Sequence, residues 1–293
     1  MRPRLGTPVV LLGALLFLTW GVALPPAASA QAPGAAYVAL GDSFTAGPVI
    51  PAQLDAHCQR SSVNYPHLVA AALHLALNDV SCAGAKTASL TGSQSVGPGH
   101  SDVRPPQLDA LGPATRLVTI GIGGNDVGYS DVVVTCTIFS ILGLLASPCT
   151  NHYTDGGTDQ LAAAVAAAGP RVGAVLAAVH RRSPKARVLL VGYPDIAPPA
   201  GTGCWPMLPF APKDLPYLRG VEVGLNAMLA SEAAQHRATF VDTYTPSVGH
   251  DACTTAGVKW VEGLIPLGPA APFHPDAAGE QHMAAAVLAA SHR

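Results

Sequence analysis

Five short runs of apolar and β-branched residues, separated by stretches long enough for helices, most constrain what this chain can fold into. Continuous apolar runs of this kind are typical of parallel strands that are buried on both faces of a sheet. The runs cover residues 37–40, 80–82, 116–121, 187–192 and 239–242. They predict a three-layer α/β/α domain with about five parallel strands and helices on both faces.

The segments between and after these runs contain four helical patterns. The expected helices cover residues 66–77, 158–182, 214–236 and 276–291. Proline lacks a backbone N–H and clashes with the preceding turn, so we expect Pro170 to break or kink the second helix. Two further stretches, 128–157 and 195–216, are interpreted as long loops that either form surface structure or shape a substrate cleft.

The first thirty residues have the pattern of a secretory signal peptide. Two arginines precede an apolar run over 9–24, and small residues lead to Ala-Ser-Ala at 28–30. This pattern predicts export with cleavage before Gln31, which leaves one mature domain over residues 31–293. The alternative is an N-terminal membrane anchor, but the run is short for a span and nothing basic follows it. No second apolar stretch is expected to cross a bilayer.

Six cysteines remain in the expected mature domain, at positions 58, 82, 136, 149, 204 and 253. An even number of cysteines in an oxidising compartment predicts three disulfides. Six cysteines allow fifteen pairings, and the sequence does not choose among them. The alternative is a metal site, but the chain has no C-x-x-C pair and no tight Cys/His cluster, so no metal is expected.

Charge and glycine patterns argue against nucleic acids and nucleotides as ligands. The net charge is −2 and no Lys/Arg run is clustered, which disfavours a nucleic-acid partner. The segment G-I-G-G-N-D at 121–126 differs from a dinucleotide fingerprint because Asp126 stands where the final glycine belongs. No Gly-Lys-Ser/Thr occurs either, which excludes a P-loop.

We expect a secreted monomer without stable membrane insertion.

The first candidate for chemistry is G-D-S-F-T-A-G at 41–47, directly after the first expected strand. A serine at the start of a helix has its own N–H directed outward, and the local dipole favours developing negative charge. Ser43 is therefore a candidate nucleophile. The alternative is an ordinary helix cap made by Asp42 or Ser43. The segment is not a nucleophile elbow, because the chain contains no G-x-S-x-G.

Three further segments lie after expected strands or before the last helix. Gly84, in S-C-A-G-A-K, lets the backbone approach a ligand and offer an N–H. Asn125, in G-G-N-D, can donate an amide hydrogen bond into a cleft. His274, in P-F-H-P-D, is a candidate general base in a rigid loop before the last helix. Each segment alone has a simpler interpretation, as a glycine after a strand, an Asn-Asp turn or a loop histidine.

Taken in this order, the four segments resemble the sequence blocks of the SGNH/GDSL hydrolase superfamily. The letters of that name denote a serine, a glycine, an asparagine and a histidine, which correspond here to Ser43, Gly84, Asn125 and His274. Two other segments, P-P-Q-L-D-A-L at 105–111 and G-H-D-A-C at 249–253, and the cysteines resemble the secreted esterase/lipase branch typical of actinomycetes.

The resemblance implies a flavodoxin-like sheet order, no cofactor and disulfides between neighbours in sequence: Cys58–Cys82, Cys136–Cys149 and Cys204–Cys253. It also implies hydrolysis of a small-molecule or lipid ester, with Ser43 as nucleophile and His274 as general base. The implied oxyanion hole consists of the N–H groups of Ser43 and Gly84 and the side-chain amide of Asn125.

One position departs from the superfamily pattern. Many members carry an aspartate three residues before the catalytic histidine, and this chain has Ala271 there. The secreted branch uses a backbone carbonyl instead, so we expect the Ala271 carbonyl to accept a hydrogen bond from His274 Nδ1 and fix the ring's tautomer. Asp276 is the alternative acid, but its position favours capping of the following helix.

The same residues allow other functions. An acyltransferase or a carbohydrate deacetylase would use the same acyl-enzyme chemistry, and the sequence does not separate these from an esterase. A non-catalytic glycan- or lipid-binding protein is the alternative from a different class.

Overall fold

Five parallel strands form the central sheet. The structure is a computed structural model that describes residues 36–142, 147–199 and 203–292. The strands are β1 (Tyr37–Gly41), β2 (Leu77–Asp79), β3 (Leu117–Gly121), β4 (Arg187–Val191) and β5 (Thr239–Val241). Their spatial order is β2-β1-β3-β4-β5, and every neighbouring pair is parallel. This is the flavodoxin-like order, so the predicted fold class is confirmed.

Helices connect the strands and cover both faces of the sheet. The described α-helices are α1 (Ser43–Ala46), α2 (Tyr65–Leu73), α3 (Thr87–Thr91), α4 (Gly124–Val127), α5 (Tyr129–Leu142), α6 (Pro148–Thr154), α7 (Gln160–Arg182), α8 (Leu215–Gln235) and α9 (Ala277–Ser291). Two small antiparallel hairpins pair Gln53–Asp55 with Arg60–Ser61 and Gln94–Val96 with Asp102–Arg104.

Side chains of the strands alternate between two apolar cores. On one face, Val38 and Ile120 pack in a cluster with residues of α7 and α8 such as Leu176 and Leu229. On the other face, Tyr37 and its neighbours pack with residues of α2 and α9. Because both faces are buried, most of the strands are continuous apolar runs, and these runs allowed their prediction from the sequence.

The second strand lies three residues earlier than predicted. It covers Leu77–Asp79 and not 80–82, and α2 accordingly ends at Leu73 rather than at 77. The strand was misplaced because its sequence, Leu-Asn-Asp, is mostly polar. Asp79 is buried, and it accepts hydrogen bonds from Asn64 and from the Ser81 hydroxyl.

Of the two expected effects of Pro170, a break or a kink, the break does not occur. Helix α7 runs without interruption from Gln160 to Arg182 with Pro170 inside it. Pro170 lies on the exposed side, whereas Ala168 and Val172 belong to the buried face. Burial of that face outweighs the loss of one helical hydrogen bond at the proline.

The prediction of a long loop over 128–157 is also wrong, because α5 and α6 occupy most of that stretch. Helix α5 is rich in valine, threonine and isoleucine. These residues have low helix propensity, so the sequence does not predict a helix here. The other expected loop, 195–216, is irregular where it is described, up to the start of α8 at Leu215.

Three disulfides join Cys58 to Cys82, Cys136 to Cys149 and Cys204 to Cys253. These are the pairs that the resemblance implies. The first lies directly beyond β2, and the third fastens the segment before α8 to the segment that follows β5.

Membrane-related expectations concern two regions. The predicted signal peptide, 1–30, lies outside the described residues. Contrary to expectation, a second stretch is long and apolar enough to cross a bilayer: helix α7 passes that test within the described part of the chain. Half of its most apolar window is buried, and its buried face belongs to the core over the sheet, as in a core helix of this fold.

Candidate active site

The nucleophile candidate Ser43 is the first residue of α1, immediately beyond the carboxyl end of β1. Asp42 caps this short helix, since its Oδ1 accepts the Phe44 N–H at 3.0 Å. A Cβ on Gly41 would lie 2.6 Å from the Gly121 carbonyl oxygen and closer still to the Thr45 hydroxyl, so only glycine fits there. The tight strand end therefore fixes where the Ser43 side chain emerges.

His274 lies opposite Ser43, in the loop before α9. Its Nε2 is 2.8 Å from Ser43 Oγ, although the two residues are 231 positions apart in sequence. This distance is within the range for direct proton transfer between a nucleophile and a general base. The His274 ring also contacts Phe44, with ring centroids 4.7 Å apart.

The other ring nitrogen of His274 corrects the sequence prediction. Nδ1 lies 2.8 Å from the carbonyl oxygen of Pro272, not from that of Ala271. The Ala271 carbonyl instead accepts the backbone N–H of His274 and closes a tight turn. Phe273, the third residue of this turn, has a left-handed φ of 59°, which re-aims the neighbouring peptide units. A backbone carbonyl supports the histidine as expected, but it is that of the next residue.

The environment favours the neutral form of the His274 imidazole. Burial lowers the pKa of His274, and the hydrogen bond to the Pro272 carbonyl opposes this shift without reversing it. An Nδ1–H donor to a carbonyl leaves Nε2 as the acceptor for the Ser43 hydroxyl proton. Asp276 is not a partner of the ring in this arrangement, because its carboxylate caps α9 by accepting the Gly279 N–H at 2.9 Å.

The three expected oxyanion donors differ in how they are placed. Asn125, in the first turn of α4, lines the same cleft as Ser43 and His274, and its Nδ2 donates to the Ala85 carbonyl at 3.0 Å. Gly84 precedes Ala85 in an exposed turn with φ of 75° and is not among the residues that line the cleft. Within the described residues, neither the Ser43 N–H nor the Gly84 N–H is used in a hydrogen bond.

A buried hydrogen-bonded chain joins the nucleophile segment to the segment of Asn125. The Tyr193 hydroxyl donates to Asp42 Oδ2 at 2.6 Å and accepts the Gly124 N–H at 2.9 Å. Burial raises the pKa of Asp42 to about 7, while the hydrogen bonds from Tyr193 and the Phe44 N–H act in the opposite direction. Sequence reasoning missed Tyr193; its position directly after a strand end is the signal that points to it.

Two more contacts that the sequence did not reveal hold the strand ends together. The Gln107 amide makes two hydrogen bonds to the backbone of Gly41, at 2.8 and 2.9 Å. Asp126 accepts both the N–H and the hydroxyl of Thr87, at 2.9 and 2.6 Å, and so ties the Asn125 segment to the Gly84 segment. Gln107 lies in the P-P-Q-L-D-A-L segment that contributed to the resemblance.

A cleft of about 530 Å³, its open mouth included, begins at these groups. Ser43, Asn125 and His274 lie on its wall together with mainly apolar side chains, among them Val127 and Leu225. Glu222, a buried acid on α8, also lines it. Within the described ranges, no cluster of three or more His, Cys, Asp or Glu side chains could hold a metal ion. The chemistry available to the described site is that of a hydroxyl, an imidazole and hydrogen-bond donors.

Comparisons with known proteins show which family the chain is similar to. Residues 39–282 match the GDSL-like Lipase/Acylhydrolase family. The chain is 42% identical to Lipase 2 of Streptomyces coelicolor over 266 residues, which cover 88% of this chain and 86% of that protein.

Solved structures of similar proteins have the same fold. Phospholipase A1 from Streptomyces albidoflavus is 28% identical with a TM-score of 0.71, covering 89% of this chain and all of that one. The extracellular lipase of Streptomyces rimosus is also 28% identical, with a TM-score of 0.65, covering 88% of this chain and 99% of that one.

Proposed function

The chain belongs to the GDSL-like lipase/acylhydrolase family and is a carboxylic ester hydrolase, and we propose that it works through a Ser43–His274 pair and an acyl-enzyme. The observation that carries the proposal is the 2.8 Å contact between Ser43 Oγ and His274 Nε2 at the carboxyl ends of β1 and its neighbours. Open α/β sheets bind their ligands at the carboxyl ends of their strands, where these polar groups lie.

In the first half-reaction His274 Nε2 takes the proton of the Ser43 hydroxyl as Oγ attacks the ester carbonyl carbon. The carbonyl oxygen becomes an oxyanion, which accepts hydrogen bonds from the Ser43 N–H and the second Asn125 amide hydrogen. The Gly84 N–H is the third proposed donor: Gly84 lies outside the cleft lining, but it precedes Ala85, whose carbonyl accepts the first Asn125 amide hydrogen. One such donor is typically worth about 10²–10³-fold in rate. The alcohol leaves with the proton from His274, and Ser43 carries the acyl group.

In the second half-reaction His274 takes a proton from water, which attacks the acyl carbon. The Ser43 Oγ leaves with that proton, and the acid is released. The Pro272 carbonyl holds the imidazole in the tautomer that both steps need, since it accepts Nδ1–H and leaves Nε2 free to receive a proton. Asp42, Tyr193 and Gln107 are positioning residues in this scheme, because they contact the segments that carry the reacting groups.

The substrate is an ester with an apolar chain, of small-molecule or lipid type. The mainly apolar lining of the cleft supports this, as do the lipase and phospholipase names of the similar Streptomyces proteins. We further propose that residues 1–30 are removed during export and that 31–293 act outside the cell. The three disulfides support this, because such bonds persist in oxidising compartments, and the similar Streptomyces rimosus lipase is extracellular.

Replacing the nucleophile tests this function. Ser43→Ala is expected to lower kcat for p-nitrophenyl butyrate hydrolysis by at least about 10⁴-fold while the protein stays folded. The control is Ser231→Ala, on an exposed position of α8, which should hydrolyse the ester like the unmodified protein. Retained turnover in purified Ser43→Ala protein would rule out Ser43 as the nucleophile.

A further inference from the structure

Glu222 is a buried acid in an otherwise mainly apolar part of the cleft that leads from Ser43. It lies on α8 one turn before Leu225, is 6% exposed, and shares the cleft wall with Ile196, Val221 and Leu225. A carboxyl group in such surroundings lowers stability unless it is hydrogen-bonded, so its presence in the substrate cleft calls for a function.

The hydrogen bonds within the described structure leave half of this carboxyl group without a partner. Glu222 Oε2 accepts the Ile196 N–H in a long contact of 3.4 Å, whereas Oε1 is buried and has no partner among the described residues. The nearby cation faces a different acid: Arg219 Nε lies 3.5 Å from Asp195 Oδ1 and forms no ion pair with Glu222 in the described part of the chain.

The surroundings favour a neutral, protonated carboxyl group. Burial raises the pKa of Glu222 well above its usual range, and the neighbouring Asp195 carboxyl raises it further; the Ile196 N–H and the Arg219 cation act in the opposite direction without reversing the shift. Burial, and then the Glu222 carboxyl, also raise the pKa of Tyr129, another residue of the cleft wall. A protonated carboxyl group both donates and accepts hydrogen bonds, so it can bind a hydroxyl group without placing a charge in the cleft.

We propose that Glu222 determines specificity: its carboxyl group, which its protein partners satisfy only in part, binds a hydroxyl group on the chain of the ester that occupies the cleft. The proposal rests on the proposed function of Ser43. It predicts that the enzyme prefers hydroxylated esters over matched esters with a plain alkyl chain. The hydroxyl-bearing chain is either the acyl or the alcohol part of the ester, and both present the same chemistry to Glu222.

The test compares kcat/KM for matched ester pairs in two arms. The acyl arm uses p-nitrophenyl esters from hexanoate to decanoate against their ω-hydroxy analogues, because shorter hydroxy esters release p-nitrophenol by forming a lactone without the enzyme. The alcohol arm uses butyl to octyl butyrates against their ω-hydroxyalkyl counterparts. In one arm the unmodified enzyme should prefer a hydroxylated ester by about tenfold, the effect of one satisfied buried hydrogen bond. If kcat/KM for the hydroxylated ester equals kcat/KM for its plain counterpart at every chain length in both arms, the proposal is overturned.

Two variants assign the preference to the carboxyl group. Glu222→Met should remove the preference, since the thioether fills the space without a strong hydrogen-bonding group. Glu222→Gln keeps a neutral polar group and should retain the preference to within about threefold. Each ratio compares two substrates of one protein sample, so a lower folded fraction does not change it. A preference that survives Glu222→Met would contradict the proposal.

The controls separate this proposal from the proposed function. Glu232→Met changes another acid of α8, one that pairs with His236 and does not line the cleft, and it should leave the ratio unchanged. If the unmodified enzyme hydrolyses the esters through Ser43 but shows no preference, only the role of Glu222 fails. If the Ser43→Ala variant hydrolyses these esters as fast as the unmodified enzyme does, the function proposed for Ser43 fails as well.

Discussion

The two ring nitrogens of His274 have different partners, and together they define how this histidine can act. Nε2 faces the Ser43 hydroxyl, and Nδ1 faces a peptide carbonyl where many enzymes of this kind have a carboxylate. A carbonyl fixes the tautomer and the ring orientation as a carboxylate would, but it carries no charge that stabilises the imidazolium. Burial therefore dominates, and the pKa of His274 falls below its usual value.

The identity of this carbonyl marks the limit of sequence reasoning at the residue scale. The resemblance to the secreted branch implied a backbone acceptor at Ala271, where the sequence has no carboxylate. The Pro272 carbonyl is the acceptor because Phe273 has a left-handed φ. Few non-glycine residues adopt this conformation, and the sequence P-F-H-P-D does not predict it.

The lowered pKa of His274 predicts the pH dependence of kcat/KM. Only the neutral imidazole can take the Ser43 proton, so activity falls as pH drops through the pKa of His274 in the free enzyme. Because this pKa is lowered, the neutral form persists to more acidic pH, and the acidic limb should lie below about 6.5, the ordinary histidine value. A pH profile of kcat/KM for p-nitrophenyl butyrate checks this. An acidic limb above that value would contradict a partly buried histidine without a carboxylate partner.

At the scale of elements, the strand ends are held together by polar side chains from distant segments. Tyr193 after β4 bridges the segments that follow β1 and β3, and Gln107 fastens the backbone at the end of β1. The apolar runs predict the strands because burial on both faces imposes a continuous pattern. The bridges are not predictable from a single sequence, because one tyrosine or glutamine in a loop carries no periodic signal.

Tyr193→Phe removes the bridge without changing the shape of the side chain. The buried Gly124 N–H and an oxygen of Asp42 then lose their partner, so the free energy of unfolding should fall by about 1–3 kcal/mol, and kcat/KM should fall with it. Urea unfolding and ester hydrolysis measure the two effects. The matched control is Tyr217→Phe, whose hydroxyl donates to Asp159 away from the cleft. Equal behaviour of the two variants would show that the bridge does not position the site.

At the scale of the whole molecule, the flavodoxin-like sheet places separate segments of the chain at one edge, and disulfides fasten the surrounding loops. The fold class was predictable because strands and most helices follow burial patterns. The four blocks near Ser43, Gly84, Asn125 and His274 were recognisable because together, in this order, they resemble the sequence blocks of a known superfamily. The position of Glu222 in the cleft was not predictable from the sequence, because most acidic residues within helices lie on the protein surface.

The disulfide between Cys204 and Cys253 should be a large contributor to stability. It joins residues 49 positions apart, and closing a loop of this length restricts the unfolded chain by about 4 kcal/mol. The double replacement of Cys204→Ala with Cys253→Ala should lower the free energy of unfolding by roughly that amount, as measured in urea. With a reductant present, the variant and the unmodified protein should be equally stable. A difference below about 1 kcal/mol without reductant would show that the crosslink contributes little.

The central claim is that Ser43, with His274 beside it, forms a covalent intermediate with the substrate. Its most direct test is the intact mass and peptide map of the protein after treatment with a fluorophosphonate, which reacts with activated serine hydroxyls. One adduct per molecule is expected, on the peptide that contains Ser43, with labelling slowed strongly in His274→Ala. An adduct on another serine, or none in a protein that still hydrolyses esters, would contradict the account.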